Sequence, residues 1–163
     1  LADSPSTKIL EIGIYKGAGL RVLKELFPTA TIYAIDIDPE AVGLAPDGVT
    51  AIRGNQNDPD FLTNLAGLAA PFDLIIDDGS HMIRHQKQSF ETLWPFVTVG
   101  GLYVIEDLES SLLRASKYNP SGEETTLNRL LRMVCDHIHV HKWNAKPPMI
   151  SFYREMCCLT KME

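Results

Sequence analysis

The sequence predicts an α/β fold in which a mostly parallel, seven-stranded sheet carries helices on both faces and ends in an antiparallel hairpin. Short apolar runs rich in β-branched residues alternate with helical patterns, and the links between them are short. The last two apolar runs are joined by only a few residues, which is typical of a hairpin. With 163 residues, 45% of them hydrophobic, we expect one domain over residues 1–163.

Each element has its own signal along the chain. Apolar runs bounded by Gly, Pro or Asp predict five parallel strands: Ile9–Ile14, Thr31–Ile37, Val49–Arg53, Phe72–Asp77 and Gly101–Glu106. Helices are expected in the gaps: after Gly19, after Asp38 with Pro39 in the first turn, after Asp58-Pro59, over His81–Val97 and over Glu123–His137. The terminal hairpin is predicted from two runs joined at Arg154-Glu155: Ile150–Tyr153 and Met156–Lys161.

A glycine-rich turn follows the first predicted strand. It reads EIGIYKGAG from Glu11 to Gly19, and Asp36 ends the second strand about twenty residues later. A glycine turn paired with such an acidic residue is typical of a nucleoside-cofactor site, where the carboxylate accepts hydrogen bonds from ribose hydroxyls. The dinucleotide pattern G-x-G-x-x-G would need glycine where Tyr15 and Ala18 stand, so a dinucleotide is not favoured.

Composition and charge narrow the classes of partner. The net charge is −6 and no cluster of Lys or Arg occurs, so nucleic acid is not expected and a small neutral or cationic molecule fits better. No apolar run approaches the length of a membrane span and no signal peptide is recognised, so no membrane partner is expected. The cysteines have no metal-ligand spacing and are interpreted as reduced thiols of a cytoplasmic protein: Cys135, Cys157 and Cys158.

Carboxylates end the fourth and fifth predicted strands, in the sequences DDGSH and IEDL. If these strands are neighbours, their ends lie about 5 Å apart, and Asp78, Glu106 and Asp107, here called the acidic cluster, could reach one point. Converging carboxylates repel unless some are protonated or a cation lies among them, and oxygen ligands favour Mg²⁺, with Mn²⁺ as an alternative. A second interpretation is that one or two of them hold a cofactor amino group or cap the following helices.

His81 lies three residues beyond Asp78, close to the predicted metal site. A histidine that titrates near neutral pH could remove a proton from a substrate hydroxyl. The alternative is a loop histidine that hydrogen-bonds a carboxylate. His85 follows four residues later, and H-x-x-x-H on one helix face could bind zinc, but Met82 stands where a zincin has glutamate, so zinc is disfavoured.

The turn EIGIYKGAG resembles the first motif of class I S-adenosylmethionine (SAM)-dependent methyltransferases, whose Rossmann-like fold has an antiparallel strand at the end of the sheet. Two longer runs resemble the macrolide-sugar O-methyltransferases of the macrocin and mycinamicin type: LEIGIYKGAGLRVLKELFPTATIYAIDIDPEA and IIDDGSHMIRHQKQSFETLWPFVTVGGLYVIEDLESS. The similarity spans Leu10–Ser111 and returns at SFYREMCCLTK. It implies methyl transfer from SAM, with Mg²⁺, to a hydroxyl of a small-molecule diol such as a natural-product sugar.

The resemblance also implies roles for individual residues. Asp78, Glu106 and Asp107 would bind Mg²⁺, and His81 would be the base. Glu11 would help hold the amino group of the cofactor, Asp36 the ribose, and Gln56 would lie near the adenine. The full set of residues expected at the cofactor is Glu11, Gly13, Tyr15, Gly17, Asp36, Gln56 and Asp77.

Two departures from the family affect the acceptor side. The family usually carries a segment before the first strand that helps cover the site and build a homo-oligomer, and this chain lacks it. A Ser-Tyr pair usually follows IEDL, where this chain has Ser111-Leu112. The alternative function is therefore a cofactor-binding domain that is non-catalytic or incomplete. An N-methyltransferase is disfavoured, because Asp78-Gly79-Ser80 stands where a Pro-Pro-aromatic motif would be.

Overall fold

The computed structural model describes residues 1–108, 117–120, 122–139 and 148–162, with the backbone alone over 133–139. The Ser111-Leu112 pair and the Cys135 side chain lie outside this description. The described elements are, in chain order, β1 (Lys8–Ile12), α1 (Ala18–Leu26), β2 (Thr31–Asp36), α2 (Pro39–Val42), β3 (Val49–Arg53), α3 (Pro59–Ala69), β4 (Phe72–Asp77), α4 (Ile83–Leu93), β5 (Val97–Ile105), α5 (Thr126–His139), β6 (Met149–Phe152) and β7 (Cys157–Thr160).

The sheet has seven strands in the order β3-β2-β1-β4-β5-β7-β6. The first five strands of the chain are parallel, and β7 is antiparallel to both β5 and β6. In the centre of the sheet Asp77 is in register with Ile12 on one side and with Ile105 on the other. The predicted fold class is confirmed, and the strand ends after Ile12, Asp77 and Ile105 meet at one edge.

Helices cover both faces of the sheet. On one face α3, α4 and α5 pack over the central strands, and their buried residues include Leu62, Phe90 and Leu130. On the other face α1 and α2 contribute Leu20 and Ala41 to a second apolar cluster. Both faces of the central strands are therefore buried, as expected for a parallel sheet. Among the described residues, no helix combines the length and the hydrophobicity needed to cross a membrane.

Two predicted helix starts are confirmed by their caps. Asp38 Oδ1 accepts a hydrogen bond of 2.9 Å from the Glu40 amide at the start of α2. Asp58 Oδ1 accepts bonds from the amides of Asp60 and Phe61, at 3.1 and 3.0 Å, at the start of α3. A proline follows each cap, where the missing N–H costs no helical hydrogen bond.

The region between α4 and β5 differs from the prediction of one helix over His81–Val97. Helix α4 covers only Ile83–Leu93, a 3₁₀ turn follows over Trp94–Phe96, and β5 begins at Val97, four residues before the predicted start. The pairing of β4 with β5 shifts register after Phe72, which accommodates the extra residues. Apolar residues at helical spacing continue through the 3₁₀ turn, so the pattern did not reveal where the helix ends.

The start of β5 is fixed by Lys161, which follows β7. Its ammonium donates hydrogen bonds to the carbonyl oxygens of Trp94, Pro95 and Val97, at 3.3, 2.8 and 2.7 Å. Its backbone also pairs with Gly100 and Gly101. The Trp94 carbonyl also accepts the Val97 amide, so the charged donor adds to the bond within the 3₁₀ turn and joins the turn to the start of β5.

Candidate active site

A cavity of about 460 Å³ opens at the carboxyl ends of the strands. Loops after β1, β2, β3 and β4 contribute to its lining. Five of the residues predicted at the site line it: Gly13, Tyr15, Asp36, Gln56 and Asp78. Its position matches the rule that ligands of open α/β sheets bind outside the carboxyl ends of the strands.

Gly13 and Gly17 shape the turn between β1 and α1. Gly13 has φ +98°, and a side chain there would collide with the backbone carbonyl of Asp78. Gly17 has φ +71° at the start of α1, and its amide donates a 2.7 Å hydrogen bond to the Ile14 carbonyl. Both positions therefore need glycine, the first for close approach to the β4 turn and both for backbone conformation.

Asp36 fastens this turn to the end of β2. Its Oδ2 atom accepts hydrogen bonds from the amides of Ile14 and Tyr15, at 2.8 and 3.1 Å, and its Oδ1 atom accepts one of 2.9 Å from the Asp38 amide. The carboxylate also lines the cavity, and its Oδ1 atom, which accepts a single bond from the described residues, has a second lone pair. A hydrogen bond from a ribose hydroxyl would thus add to the contacts that Asp36 already makes.

Glu11 is a buried carboxyl group beside the cavity, with 4% of its surface exposed. Its Oε2 atom has no hydrogen-bond partner among the described residues. Burial, together with the negative charges of Asp78 and Glu106, raises the pKa of Glu11 from 4.5 to about 7. A buried carboxyl oxygen without a partner fits a positively charged group of a ligand, as predicted for this residue.

Asp77 does not reach the cavity, in contrast to its predicted contact with a cofactor. It is fully buried, and its oxygens accept hydrogen bonds from Gln56 Nε2 at 3.0 Å, from Ser89 Oγ and from the Tyr103 hydroxyl at 3.5 Å. Burial raises its pKa to about 6, although the bonds from Ser89 and Gln56 oppose this. The β-strand alternation turns Asp77 into the core and leaves the next residue, Asp78, at the cavity.

Gln56 holds the turn that follows β4 and carries Asp78. Its Nε2 atom donates to Asp77, and its Oε1 atom accepts a 2.7 Å hydrogen bond from the Ser80 amide. Gly79 lies against the Gln56 amide so closely that a side chain at this position would overlap it. Gln56 therefore lines the cavity while both ends of its amide hold the turn that carries Asp78, so contact with an adenine remains a prediction.

The structure brings Asp78, His81 and Asp107 together. One ligand atom of each lies within 4.8 Å of the others, and His81 Nε2 is 3.3 Å from Asp107 Oδ2. Glu106 is outside this group of three, but burial and the charges of Asp78 and Asp107 raise its pKa. Burial also raises the pKa of Asp78, with Asp107 adding to the effect. Facing carboxylates whose ionisation is opposed by burial and mutual repulsion fit a divalent cation, since a cation removes that repulsion.

His81 has an unusual environment on the loop before α4. Its φ is +57°, its Nδ1 atom is buried without a hydrogen-bond partner among the described residues, and its ring packs edge-to-face with Tyr118. His85 is not part of this group, because its Nδ1 atom bonds to Ser80 Oγ at 2.7 Å. His81, and not His85, is therefore the histidine that lies beside the acidic cluster in the described structure.

Two residues that support the site were missed in the sequence. Ser89 and Gln86 lie three residues apart on α4, both fully buried. Ser89 bonds to Asp77, and Gln86 Nε2 donates a 3.0 Å bond to the Glu106 carbonyl. The available signal was the position of two polar residues on the helix face that also carries Phe90 and Leu93.

Comparison with known proteins agrees with the resemblance inferred from the motifs. Residues 10–108 match the family described as a methyltransferase domain. The chain is 36% identical over 150 residues to 8-demethyl-8-(2-methoxy-alpha-L-rhamnosyl)-tetracenomycin-C 3'-O-methyltransferase of Streptomyces olivaceus, which is 86% of this chain and 38% of that protein. It is 44% identical over 108 residues to demethylmacrocin O-methyltransferase of Streptomyces fradiae, which is 62% of this chain and 27% of that protein.

A solved structure with the same fold is the MycE methyltransferase from the mycinamycin biosynthetic pathway, in complex with Mg, SAH and mycinamycin VI. The TM-score is 0.81 at 32% identity, and the alignment covers 96% of this chain and 45% of that chain. The chain thus spans less than half the length of each of these three proteins. Since the family match covers more than half of its residues, the chain belongs to the methyltransferase domain family.

Proposed function

We propose that this chain is an O-methyltransferase that transfers a methyl group from SAM to a hydroxyl of a natural-product sugar, with the help of a divalent cation. The observation that carries the proposal is the position of Asp78. It lines the cavity at the glycine turn and also lies within 4.8 Å of the ligand atoms of His81 and Asp107. A nucleoside site and a cation site would therefore share one residue.

The residues present fit SAM. Asp36 would accept hydrogen bonds from the ribose, and the positive φ of Gly13 lets the backbone pass close to the ligand. Glu11 offers a buried carboxyl oxygen without a partner to the ammonium group of the methionine part. The structural relative MycE, in complex with SAH, supports this assignment.

The residues also fit a divalent cation. Asp78 and Asp107 would hold it, with Glu106 as a third carboxylate, and MycE in complex with Mg supports the choice of Mg²⁺. When bound, SAM supplies a methyl group on a positively charged sulfur, and the cation lowers the pKa of a substrate hydroxyl.

His81 would take the proton of the acceptor hydroxyl as its oxygen attacks the methyl carbon and the methyl–sulfur bond breaks. The Asp107 carboxylate, 3.3 Å from His81 Nε2, would stabilise the imidazolium that results. His81 has a left-handed backbone conformation on the loop before α4, and its ring lies against the acidic cluster. The rest of the catalysis is positioning, since methyl transfer needs the oxygen, carbon and sulfur in line.

The acceptor class is inferred from the named relatives, which are O-methyltransferases for a rhamnosyl-tetracenomycin and for demethylmacrocin. A cation held by carboxylates on one side binds two neighbouring substrate oxygens well, so we propose a vicinal diol. The test is methyl transfer to a rhamnoside with free 2- and 3-hydroxyls, compared with its 3-deoxy analogue, which keeps hydroxyls at positions 2 and 4 but has no vicinal pair. Equal transfer, or transfer to neither, contradicts the proposed acceptor class.

The first experiment is calorimetric titration of S-adenosylhomocysteine (SAH) into the protein with and without Mg²⁺. It is repeated with Asp78→Asn and with Asp47→Asn, which removes an exposed carboxylate outside the cavity. We expect SAH to bind to all three proteins and Mg²⁺ binding to be lost in Asp78→Asn alone. SAH binding to a wild-type protein that binds no Mg²⁺ would favour a metal-free enzyme or the non-catalytic domain, and no SAH binding would refute the proposal.

A further inference from the structure

Helix α4 buries two polar side chains on the face that packs against the sheet. Gln86 and Ser89 are fully buried, among the apolar residues Ile83, Phe90 and Leu93 of the same helix. A buried amide or hydroxyl is costly unless its hydrogen bonds are made, and here they are made with the ends of two neighbouring strands. The partners of these hydrogen bonds lie next to the acidic cluster, so the two side chains affect the site as well as the packing of the helix.

Each of the two side chains holds a residue that directly precedes a member of the acidic cluster. Ser89 Oγ donates to the carboxylate of Asp77, which is followed by Asp78. Gln86 Nε2 donates a 3.0 Å hydrogen bond to the carbonyl oxygen of Glu106, which is followed by Asp107. One helix therefore fixes the end of β4 and the residue that follows β5, and with them the separation of the facing carboxylates.

The turn after β5 needs such support. Asp107 has φ +53°, a conformation that residues other than glycine rarely adopt, and its carboxylate faces other negative charges. The Glu106 carbonyl belongs to the same peptide plane as the Asp107 amide. A hydrogen bond that fixes this carbonyl therefore fixes the direction in which the chain enters Asp107. Within the described residues, the neighbouring backbone bonds run from Glu106 N to Asp77 O and from Leu108 N to Glu155 O, and the bond to the peptide plane itself comes from Gln86.

The orientation of the Gln86 amide is itself fixed by Thr126, the first residue of α5. Thr126 Oγ1 donates a 2.9 Å hydrogen bond to Gln86 Oε1, and both side chains are buried. With Oε1 engaged in this way, Nε2 faces Glu106. We propose that Gln86, oriented by Thr126, is a positioning residue that sets the geometry of the Glu106–Asp107 turn for cation binding. This inference rests on the proposed function, because it assigns these residues to its cation site.

The test measures binding of Mn²⁺ alone, by the electron paramagnetic resonance signal of the free ion, in the whole chain. Gln86→Met keeps the length of the side chain and removes the amide. Gln88→Met is the matched control, because Gln88 lies on the same helix and bonds only to Thr92 in the described structure. Thr126→Val removes the hydroxyl that orients Gln86, and Thr126→Ser keeps it. Melting temperature and SAH affinity are measured for each variant.

We expect Gln86→Met to bind Mn²⁺ roughly 10- to 100-fold more weakly, the range typical for residues that orient metal ligands. Thr126→Val should lose affinity by a smaller factor, Thr126→Ser and Gln88→Met should match the wild type, and SAH affinity should stay within about twofold. Unchanged Mn²⁺ affinity in Gln86→Met, with a lower melting temperature, would overturn the inference and leave a purely structural role. If Gln86→Met does not fold, unchanged Mn²⁺ affinity in Thr126→Val overturns it instead.

The outcome for the wild type separates this inference from the proposed function. A wild-type protein that binds SAH but not Mn²⁺ would refute the cation site and this inference together, and leave the cofactor site standing. If the wild type binds Mn²⁺ and the variants Gln86→Met and Thr126→Val bind it with the same affinity, this inference alone is refuted.

Discussion

Replacing Glu11 with glutamine should stabilise the ligand-free protein at and above neutral pH. The side chain is buried, its Oε2 atom has no partner, and Asp78 and Glu106 add repulsion. The pKa of Glu11 is raised from 4.5 to about 7. A difference of that size between the folded and unfolded states corresponds to about 3 kcal/mol, as an upper value for a group with some solvent access.

The sign follows from the protonation of the two states. Below pH 4.5 Glu11 is largely protonated in both the folded and the unfolded chain, so its ionisation does not lower the free energy of unfolding. Between pH 4.5 and about 7 the unfolded chain ionises first, and the free energy of unfolding falls as pH rises. Above about pH 7 the loss is complete. Glutamine does not titrate, so the Glu11→Gln variant lacks this part of the pH dependence.

The assay is urea denaturation at pH 5, 6, 7 and 8 in the presence of a chelator. The difference in unfolding free energy between Glu11→Gln and the wild type should grow with pH, from about 1 kcal/mol at pH 5 towards about 3 kcal/mol at pH 8. Glu25→Gln, which removes an exposed carboxylate from α1, is the control and should show no such trend. A difference for Glu11→Gln that does not vary with pH would refute the reasoning.

The same variant should bind SAH less tightly. A hydrogen bond to a charged group contributes roughly 1.5–3 kcal/mol, so the loss of the Glu11 carboxylate should weaken SAH about tenfold or more. Stability and cofactor affinity would then change in opposite directions. A Glu11→Gln protein with wild-type SAH affinity would show that this carboxyl group does not contact the ammonium group of the ligand.

Three further predictions concern single residues of the site and the sheet. His81→Ala should lower the rate of methyl transfer by about 10²- to 10⁴-fold with SAH affinity nearly unchanged, and equal losses in kinetics and calorimetry would contradict a role as base. Gly13→Ala should cost about 3 kcal/mol or more in urea denaturation, because its φ is +98° and the new side chain would meet Asp78. Gly67→Ala, in open space within α3, should instead stabilise by about 0.5–1 kcal/mol, so similar effects of the two changes would refute this explanation. Lys161→Met should lower the free energy of unfolding by about 1–3 kcal/mol and speed amide hydrogen exchange at the start of β5. Unaltered exchange there would show that the three carbonyl contacts of Lys161 do not hold that segment.

Local patterns were sufficient to predict the order of elements and several of the residues that line the cavity. The alternation of apolar strands with capped helices can be predicted from residues close together in the chain, as at Asp58-Pro59. The same holds for the glycine turn. The approach of Asp78 to Asp107 followed from one assumption, that β4 and β5 are neighbours, which the structure confirms. The residues alone predicted a nucleoside cofactor and a divalent cation, whereas the choice of SAM as the cofactor came from the family resemblance.

The missed features depend on contacts between residues distant in the chain. Asp77 was expected at a cofactor, yet it bonds to Gln56, 21 residues earlier, and to Ser89, 12 residues later. Gln86 meets Thr126 across 40 residues. A helical pattern shows only that Gln86 and Ser89 are polar, and gives no sign that the core supplies partners for them.

The strand order has a consequence for how the protein is made on the ribosome. β7 lies between β5 and β6, although it is the last described strand to be synthesised. Until residues 157–160 emerge, β5 presents an edge of unpaired backbone groups while the parallel half of the sheet is already complete. A nascent chain stalled just before β7 therefore presents the β5 edge to other chains, which favours aggregation until β7 pairs with it.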